Sequence, residues 1–408
     1  MNAAIPAGSG RLIFVNRFAQ PDLSATAKML EGVSVGLARD FDVRVLTSRL
    51  SYQTGERCYP GRERQAGVEI VRVWSTAFGR GHLAGRVLDY VTFLVSAAFT
   101  LWRTARAGDV VVLKTDPPLL SVLCAVVCLG RRAPLVNWLQ DLFPELDLAL
   151  RPGAMPGAAV RLLKRMRDWS LRNAALNVVI SSQMREHLAD AGVEPHRVTV
   201  IGNWSDSGVV HPVQPECNPL RAKWDLTGEF VVGYSGNMGR AHDLHTVAAA
   251  IDARGMEDRV RFLFIGDGAR KDLIVQASAG RNVRIEPLQP PDLLAESLSA
   301  PDVHLVTLHP GVEGLMFPSK LYAAAAAGRP VIVVGAAENE VGRLVETHDF
   351  GISVCSGNSA ALNKAIDALR DDADRRTRMG LNARRFVVEH HSLPCSVERW
   401  KLALSGLA

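Results

Sequence analysis

The sequence has no Cys-x-x-Cys pair. Its six cysteines, Cys58, Cys124, Cys128, Cys217, Cys355 and Cys395, match neither a disulfide framework nor a zinc site, and read as buried reduced thiols of a cytosolic protein. Met1–Gly10 lack a charged segment followed by an apolar one, so no secretory leader is expected. Low-complexity tracts, a collagen-like period and solenoid repeats are missing. Charge of one sign is scarce: 47 basic against 42 acidic side chains leave +5, which fits anionic small molecules or an anionic membrane surface and argues against nucleic acid as a partner. A long hydrophobic run is lacking too. Val87–Trp102 (VLDYVTFLVSAAFTLW) is interrupted by Asp89. It falls short of the roughly 20 residues that span a bilayer, and so predicts a buried or interfacial helix.

What is present is a repeated alternation. Single cores stop growing at about 250–300 residues, so 408 residues predict two domains. In the first half, short apolar runs (Leu12–Asn16, Val43–Thr47, Val68–Trp74, Asp109–Lys114, Pro134–Leu139, Leu176–Ser181, Val198–Asn203) alternate with helix-period segments. That pattern predicts βαβ units around a parallel sheet. A proline-rich polar break at Trp204–Pro219 reads as a linker. The pattern then restarts at Phe230–Gly236, Val260–Gly268, Val283–Leu288, Asp302–Leu308, Arg329–Gly335 and Gly351–Cys355. The expected fold class is α/β, two doubly wound domains: 1–205, 206–385, and a 386–408 tail helix returning to the first domain.

Ligands of open parallel sheets lie outside the carboxyl ends of the strands, so the loops after strands hold the candidates. Tyr234–Arg240 (YSGNMGR) runs from a strand into a Gly-x-x-Gly turn and a helix near Asp243. Gly236 permits close backbone approach and Arg240 offers a charge to a phosphate; the alternative is an ordinary strand–turn–helix connection. This is not GxGxxG, so a dinucleotide fingerprint is unmet. Gly266-Asp267-Gly268 forms a second tight turn, with Lys271 on the following helical turn as either an anion partner or a solvated surface lysine. Glu313–Gly335 places Pro318, Ser319 and Lys320 at a helix start, read as a second anion-holding terminus or as close packing of an alanine-rich helix. In the first half, Asp141 and Glu145 are four apart and would share a helix face, as hydroxyl ligands or as two solvated carboxylates. Ser24 and Thr26 suit a helix N-cap that also meets an acceptor.

In order, GYSGNMGR, FIGDGARK, PSKLYAAAAAGRPVI and NWSD (Asn203–Asp206) resemble glycosyltransferase family 4, and PDLSATAKML, TDPPLLS and DLFPE are similar to its bacterial O-antigen, capsule and exopolysaccharide branch. The resemblance spans Arg11 to about Phe386. It implies the GT-B fold, two Rossmann-like domains facing across a cleft. It also implies a nucleotide-sugar donor held by the C-terminal domain, a lipid-linked or polysaccharide acceptor, and retention of anomeric configuration. No metal or other cofactor is implied. Donor-site candidates carried over are Gly236, Asn237, Arg240, Gly266, Asp267, Lys271, Glu313, Ser319 and Lys320. Asp141, Arg240 and Lys320 are the catalytic candidates, and Ser24, Thr26 and Glu145 stand on the acceptor side. The chain departs from the family's Glu-x7-Glu at Leu315 and Ala323. A weakly catalytic nucleotide-sugar-binding homologue and a sugar-nucleotide epimerase of similar architecture are the alternative readings. Because acceptors in that branch are often polyprenyl-linked, the arginine-flanked Arg86–Arg106 stretch becomes a candidate for peripheral membrane contact.

Overall fold

The computed structural model describes residues 10–22, 24–79, 82–255, 259–279 and 281–407; the stretch read for a leader lies, up to residue 9, outside them. The chain divides into two compact units. Unit 1 comprises Met1–Leu148, Gly153–Gly202 and Ser396–Ala408, and unit 2 comprises Asn203–Cys395 with Ala149–Pro152.

Unit 1 runs β1 (Leu12–Val15), α1 (Ala25–Leu37), β2 (Val43–Ser48), β3 (Arg62–Gln65), β4 (Val68–Val73), α2 (Leu83–Thr104), β5 (Val110–Lys114), α3 (Leu120–Arg131), β6 (Leu135–Trp138), α4 (Glu145–Leu150), α5 (Gly157–Asn173), β7 (Leu176–Val179), α6 (Ser182–Asp190) and β8 (Val198–Val200). The strands form one eight-stranded sheet in the order β3-β4-β2-β1-β5-β6-β7-β8. Every pairing is parallel except β3 with β4. Strands buried on both faces need continuous apolar runs, which β1 has throughout and β5 has up to its final lysine. The polar edge strand β3, Arg-Glu-Arg-Gln, has no such run and is mostly exposed, so hydrophobic periodicity does not reveal it.

Unit 2 runs α7 (Pro219–Lys223), β9 (Phe230–Ser235), α8 (Leu244–Asp252), β10 (Val260–Ile265), α9 (Lys271–Ala277), β11 (Val283–Glu286), α10 (Leu294–Ser299), β12 (Val303–Thr307), α11 (Lys320–Ala326), β13 (Val331–Gly335), α12 (Glu340–Thr347), β14 (Gly351–Cys355), α13 (Ser359–Asp371) and α14 (Ala373–His390). Its parallel sheet has the order β11-β10-β9-β12-β13-β14. The proline-rich break is not a loose linker. Trp204 and Val210 are buried, and Val213 N–H donates to Ser299 Oγ at 3.0 Å.

The final helix, α15 (Leu393–Ser405), joins unit 1 from Ser396 onward. Trp400 is fully buried edge-on to Trp138, with ring centres 4.7 Å apart. Lys401 pairs with Asp40 at 2.7 Å. Two sequence expectations need correction. All six cysteines are free thiols, but only Cys124 and Cys128 are buried and Cys58, Cys217 and Cys355 are exposed. The apolar stretch belongs to a 22-residue helix, α2, which by length and composition alone would be long enough to cross a membrane. Its inner face is nevertheless core: Phe93, Ala97 and Leu101 are fully buried with Ile13, Leu113 and Cys124.

Truncating Trp400 removes a large side chain from the unit 1 core. Trp400→Ala is expected to destabilise unit 1 by about 3–5 kcal/mol, read as a lower first transition in scanning calorimetry. Leu402→Ala, on the same helix but 75% exposed, should leave that transition within a degree or so of wild type.

Candidate donor and acceptor sites

The strand order of unit 2 reverses between β9 and β12, and the crevice of such a sheet opens at that point. The loops after these two strands are tied together by His242. Its Nδ1 lies 2.7 Å from the Thr307 carbonyl, which can only accept, so Nδ1 carries the proton and Nε2 presents a lone pair. That lone pair faces Lys320 Nζ at 3.3 Å. Lys320 also donates to Tyr234 Oη at 2.5 Å and to the Asn237 carbonyl at 3.4 Å, and its ammonium lies 3.9 Å from the centre of the Tyr234 ring. Tyr234 in turn donates to the Asn237 carbonyl at 2.8 Å. A Cβ placed on Gly236 would lie 3.7 Å from Lys320 Cε, so this lysine lies along the Gly236 turn.

The cluster has one cation and no carboxylate. Burial lowers Lys320 to about 7. Burial, and then the neighbouring Lys320, lower His242 to about 3, so the imidazole is neutral. Burial pushes the Tyr234 phenol far above its usual range. A desolvated ammonium without a counter-charge is costly on its own and gains most when an anion arrives.

The turn after β10 locks into the turn after β9. Gly236 N–H donates to Ile265 O, Met238 N–H to Asp267 O, and Arg270 N–H to Met238 O, at 2.8, 2.8 and 2.9 Å. Gly266 and Gly268 make this possible, with φ of +136° and +151°. A Cβ on Gly266 would stand 2.3 Å from Gly236 O, and one on Gly268 2.5 Å from Asn237 Oδ1. Neither position tolerates a side chain without moving backbone.

The structure thus brings Gly236, Asn237, Gly266 and Lys320 together and leaves other candidates at the margin. Arg240 is exposed, with no hydrogen-bond or ion-pair partner among the described residues. Lys271 is 3.7 Å from the exposed Asp267, whose Oδ1 also accepts from Gly268 N–H. Ser319 is exposed at the start of α11. The helix after this turn begins at Leu244, where the sequence placed it, and Asp243 caps it by accepting from Thr246 N–H at 3.1 Å. A carboxylate therefore already occupies that N-terminus, which corrects the expectation of an anion seat there. Glu313 is committed as well: its carboxylate accepts from Gly311 N–H at 2.6 Å and Ala336 N–H at 3.4 Å, clamping the loop after β13. Leu315 is buried as an apolar residue. Sequence reasoning passed over Tyr234 as a ligand of Lys320. The available signal was a phenol one residue before the end of β9, in an otherwise apolar run.

Unit 1 has its own switch point, between β1 and β5. Lys114, the last residue of β5, is buried with its ammonium 3.9 Å from the Trp138 ring centre, and donates to Thr26 O at 3.1 Å. Burial lowers it to about 7. Asp141 borders the same small cavity of about 30 Å³. Burial raises its carboxyl to about 6, with Asp116 pushing the same way and Thr115 and Lys114 opposing. Asp141 and Glu145 do not share a helix face, because α4 starts only at Glu145. Glu145 is not an open ligand either. Burial alone would raise its pKa, but a bidentate pair with Arg167, both bonds 2.8 Å, outweighs it and holds the carboxylate low. Ser24 is the N-cap of α1, accepting from Ala27 N–H at 3.2 Å, and Thr26 lies in the first turn.

Comparison with known proteins agrees with this architecture. Residues 25–204 match the glycosyl transferase 4-like domain, and residues 229–372 match glycosyl transferases group 1. The chain is 30% identical over 283 residues to the probable glycosyltransferase WbjE of Pseudomonas aeruginosa, covering 69% of this chain and 70% of that one. It is 28% identical over 347 residues to the putative colanic acid biosynthesis glycosyl transferase WcaI of Escherichia coli K12, covering 81% and 83%. Among solved structures, Anabaena HepE in complex with UDP and glucose superposes with TM-score 0.73 at 16% identity, covering 98% of this chain and all of that one. Sucrose-phosphate synthase of Thermosynechococcus elongatus superposes at TM-score 0.76 and 16% identity, covering 98% and 99%. With two family domains in tandem, a relative at 30% identity across two thirds of the chain and this pair of doubly wound units, the chain belongs to glycosyltransferase family 4 and has the GT-B fold.

Proposed function

We propose that the chain moves a sugar, of fucose or N-acetylhexosamine type, from a nucleotide-sugar donor to a lipid-linked or polysaccharide acceptor in bacterial surface-glycan synthesis. Transfer proceeds with retention, needs no metal, and takes place on the cytoplasmic face of a membrane. One observation supports the donor reading above the others: the Lys320 ammonium, desolvated and without a carboxylate, held against the Gly236 turn at the switch point of unit 2. The donor diphosphate lies along that turn. Tyr234 and the neutral His242 fix the ammonium in place, and charge developing on the leaving diphosphate is met by a group that needs no reorganisation. Arg240 and Lys271 reach the same anion from solvent. No nucleophile pair stands beside this cluster among the described residues, and the family resemblance supports attack by the acceptor hydroxyl from the face the leaving group departs. In unit 1, Asp141, with its raised pKa, receives the acceptor. WcaI is named for colanic acid biosynthesis, and the similarity to it supports a surface glycan as the product class.

Replacing Lys320 by Ala should lower transfer by about 100-fold or more and weaken binding of an intact nucleotide sugar in calorimetry. Arg240→Ala should cost only about tenfold or less, because that side chain is solvated. Wild-type rates in the Lys320→Ala enzyme would sink the donor assignment.

The lowered pKa of Lys320 sets a pH window. Free Lys320 loses its proton near pH 7, whereas a bound diphosphate holds that proton on. Affinity for an intact nucleotide sugar is therefore highest below 7 and falls as pH rises past 7, by up to about tenfold per unit. Lys320→Ala should flatten that profile. For folding the sign is opposite: between about 7 and the ordinary lysine value the unfolded chain binds the extra proton, so the cost of burying Lys320 shrinks as pH rises.

A further inference from the structure

We propose that the hollow beside the carboxyl end of β1 in unit 1 takes a carboxylate-bearing sugar residue of the acceptor, and that Arg17 selects it. This deepens the acceptor reading of unit 1 and rests on it.

Arg17 follows β1, and its main chain is pinned from both sides. Its N–H donates to Asp116 O at 3.0 Å, and its carbonyl accepts from Ser48 N–H and Thr47 Oγ1, both at 3.0 Å. The segments after two neighbouring strands thus fix where the side chain starts. Arg17 is only 8% exposed, with its guanidinium 4.6 Å from the centre of the Tyr90 ring and 5.1 Å from that of Phe18. Its Nε is enclosed without a hydrogen-bond partner, and no carboxylate pairs with it among the described residues. A guanidinium keeps its charge at any working pH, so a buried one is costly until an anion meets it. Stacking on two rings offsets part of that cost and leaves its donors unspent. The same segment holds more unsatisfied groups: Asn16 Oδ1 and both polar side-chain atoms of Gln20 are buried without partners. Native interiors leave few such groups, so four polar atoms on one five-residue segment ask for a polar ligand.

The shape and charge of the hollow identify the ligand. Its volume is about 290 Å³, the small end of the roughly 300–1,000 Å³ that ligand sites span, so it takes a sugar residue and not a lipid tail. Aromatic rings border it, and these suit the apolar C–H face of a sugar. Tyr52 stands edge-on to Phe18 with ring centres 5.2 Å apart, and Asp22 holds its loop by accepting from Tyr52 N–H at 2.5 Å. Two carboxylates also line the space. Asp89 is spent on Thr76 Oγ1, Phe78 N–H and Gly79 N–H, and Asp116 supports the Lys114 ammonium. Fixed anions in the wall disfavour a dianion such as a phosphate monoester. One buried guanidinium instead matches one carboxylate, whose two oxygens accept from Nε and an adjacent Nη side by side. Arg86, exposed and 5.9 Å from the Tyr90 ring centre, adds a solvated second charge. The place suits an acceptor. Asp116 borders this hollow, whereas Thr115 and Pro117 border the cavity at Asp141. One acceptor therefore reaches both, its acidic residue at Arg17 and its reacting hydroxyl toward Asp141. Ser24 and Glu145, expected on this side, are already spent on Ala27 N–H and Arg167.

The test titrates the full-length chain with the methyl glycosides of glucuronate, galacturonate and mannuronate, followed by ligand-observed NMR. The neutral parent hexosides, the uronate methyl esters and methyl glucoside 6-phosphate are titrated alongside. At least one uronate should bind about tenfold or more tighter than its parent hexoside, its ester and the 6-phosphate. Arg17→Gln should erase that preference, and Arg17→Lys, which keeps the charge without the planar fork, should recover only part of it. Arg86→Gln should cost about threefold or less, because that charge is solvated. Should the Arg17 variants fail to fold, the comparison of uronate with ester on the wild type still decides. Equal binding of uronates and hexosides, a preference for the 6-phosphate, or a uronate preference that survives Arg17→Gln overturns the proposal. Nucleotide-sugar binding by the wild type separates the two readings. If it is present while uronates fail to bind, the acidic-sugar site falls and the transferase assignment stands. If uronates bind through Arg17 and the nucleotide sugar does not, the site stands and its role as an acceptor site falls.

Discussion

An ammonium taken out of water without a counter-charge is the constraint on which the candidate site of unit 2 turns. Lys320 has three neutral neighbours, Tyr234, His242 and the Asn237 carbonyl, and no carboxylate. A carboxylate partner would make the lysine comfortable and block it at once. Neutral acceptors hold it in place and leave its charge unspent. Much of the local architecture follows from that need. His242 must be neutral to accept from an ammonium; burial and Lys320 keep it so, and the Thr307 carbonyl, accepting from Nδ1–H, turns the Nε2 lone pair toward the lysine. The turns after β9 and β10 must come within backbone contact, and Gly266 and Gly268 let them.

The fold was legible because parallel sheets need continuous apolar strands, and these stand out in a chain of otherwise alternating pattern. Thirteen segments read as strands from the sequence all appear. The polar edge strand at Arg62–Gln65 does not follow that rule and was invisible. The candidate site was legible where glycine and a strand end coincide, as at Gly236 and Gly266, because backbone geometry demands particular residues there. It was illegible where a side chain's role depends on partners remote in sequence. Glu145 looked like a free carboxylate until Arg167, 22 residues away, closed on it. Glu313 looked like a donor-site residue until two backbone N–H groups claimed it. The position of Lys320 at a helix start was readable, whereas its contact with Tyr234, 86 residues earlier, was not.

The two units handle polar burial in parallel ways. Each places a lysine at its switch point, lowers it to about 7 by burial, and rests its ammonium 3.9 Å from an aromatic ring: Lys114 on Trp138 and Lys320 on Tyr234. They differ in what stands nearby. Lys114 feels Asp116 and Asp141, which raise its pKa against the effect of burial, whereas Lys320 has no such opposition. One cluster is balanced internally and the other is not, an asymmetry that fits the proposed acceptor and donor sides.

The return of α15 also orders events during synthesis. Unit 2 is complete in the chain by Cys395, whereas unit 1 receives Trp400, the neighbour of Trp138, only after all of unit 2 has been made. A ribosome emitting this protein from its N-terminus therefore releases a finished second lobe while the first still lacks part of its interior. Unit 1 is thus sealed only after unit 2, and a stop before Trp400 leaves the Trp138 socket without its partner.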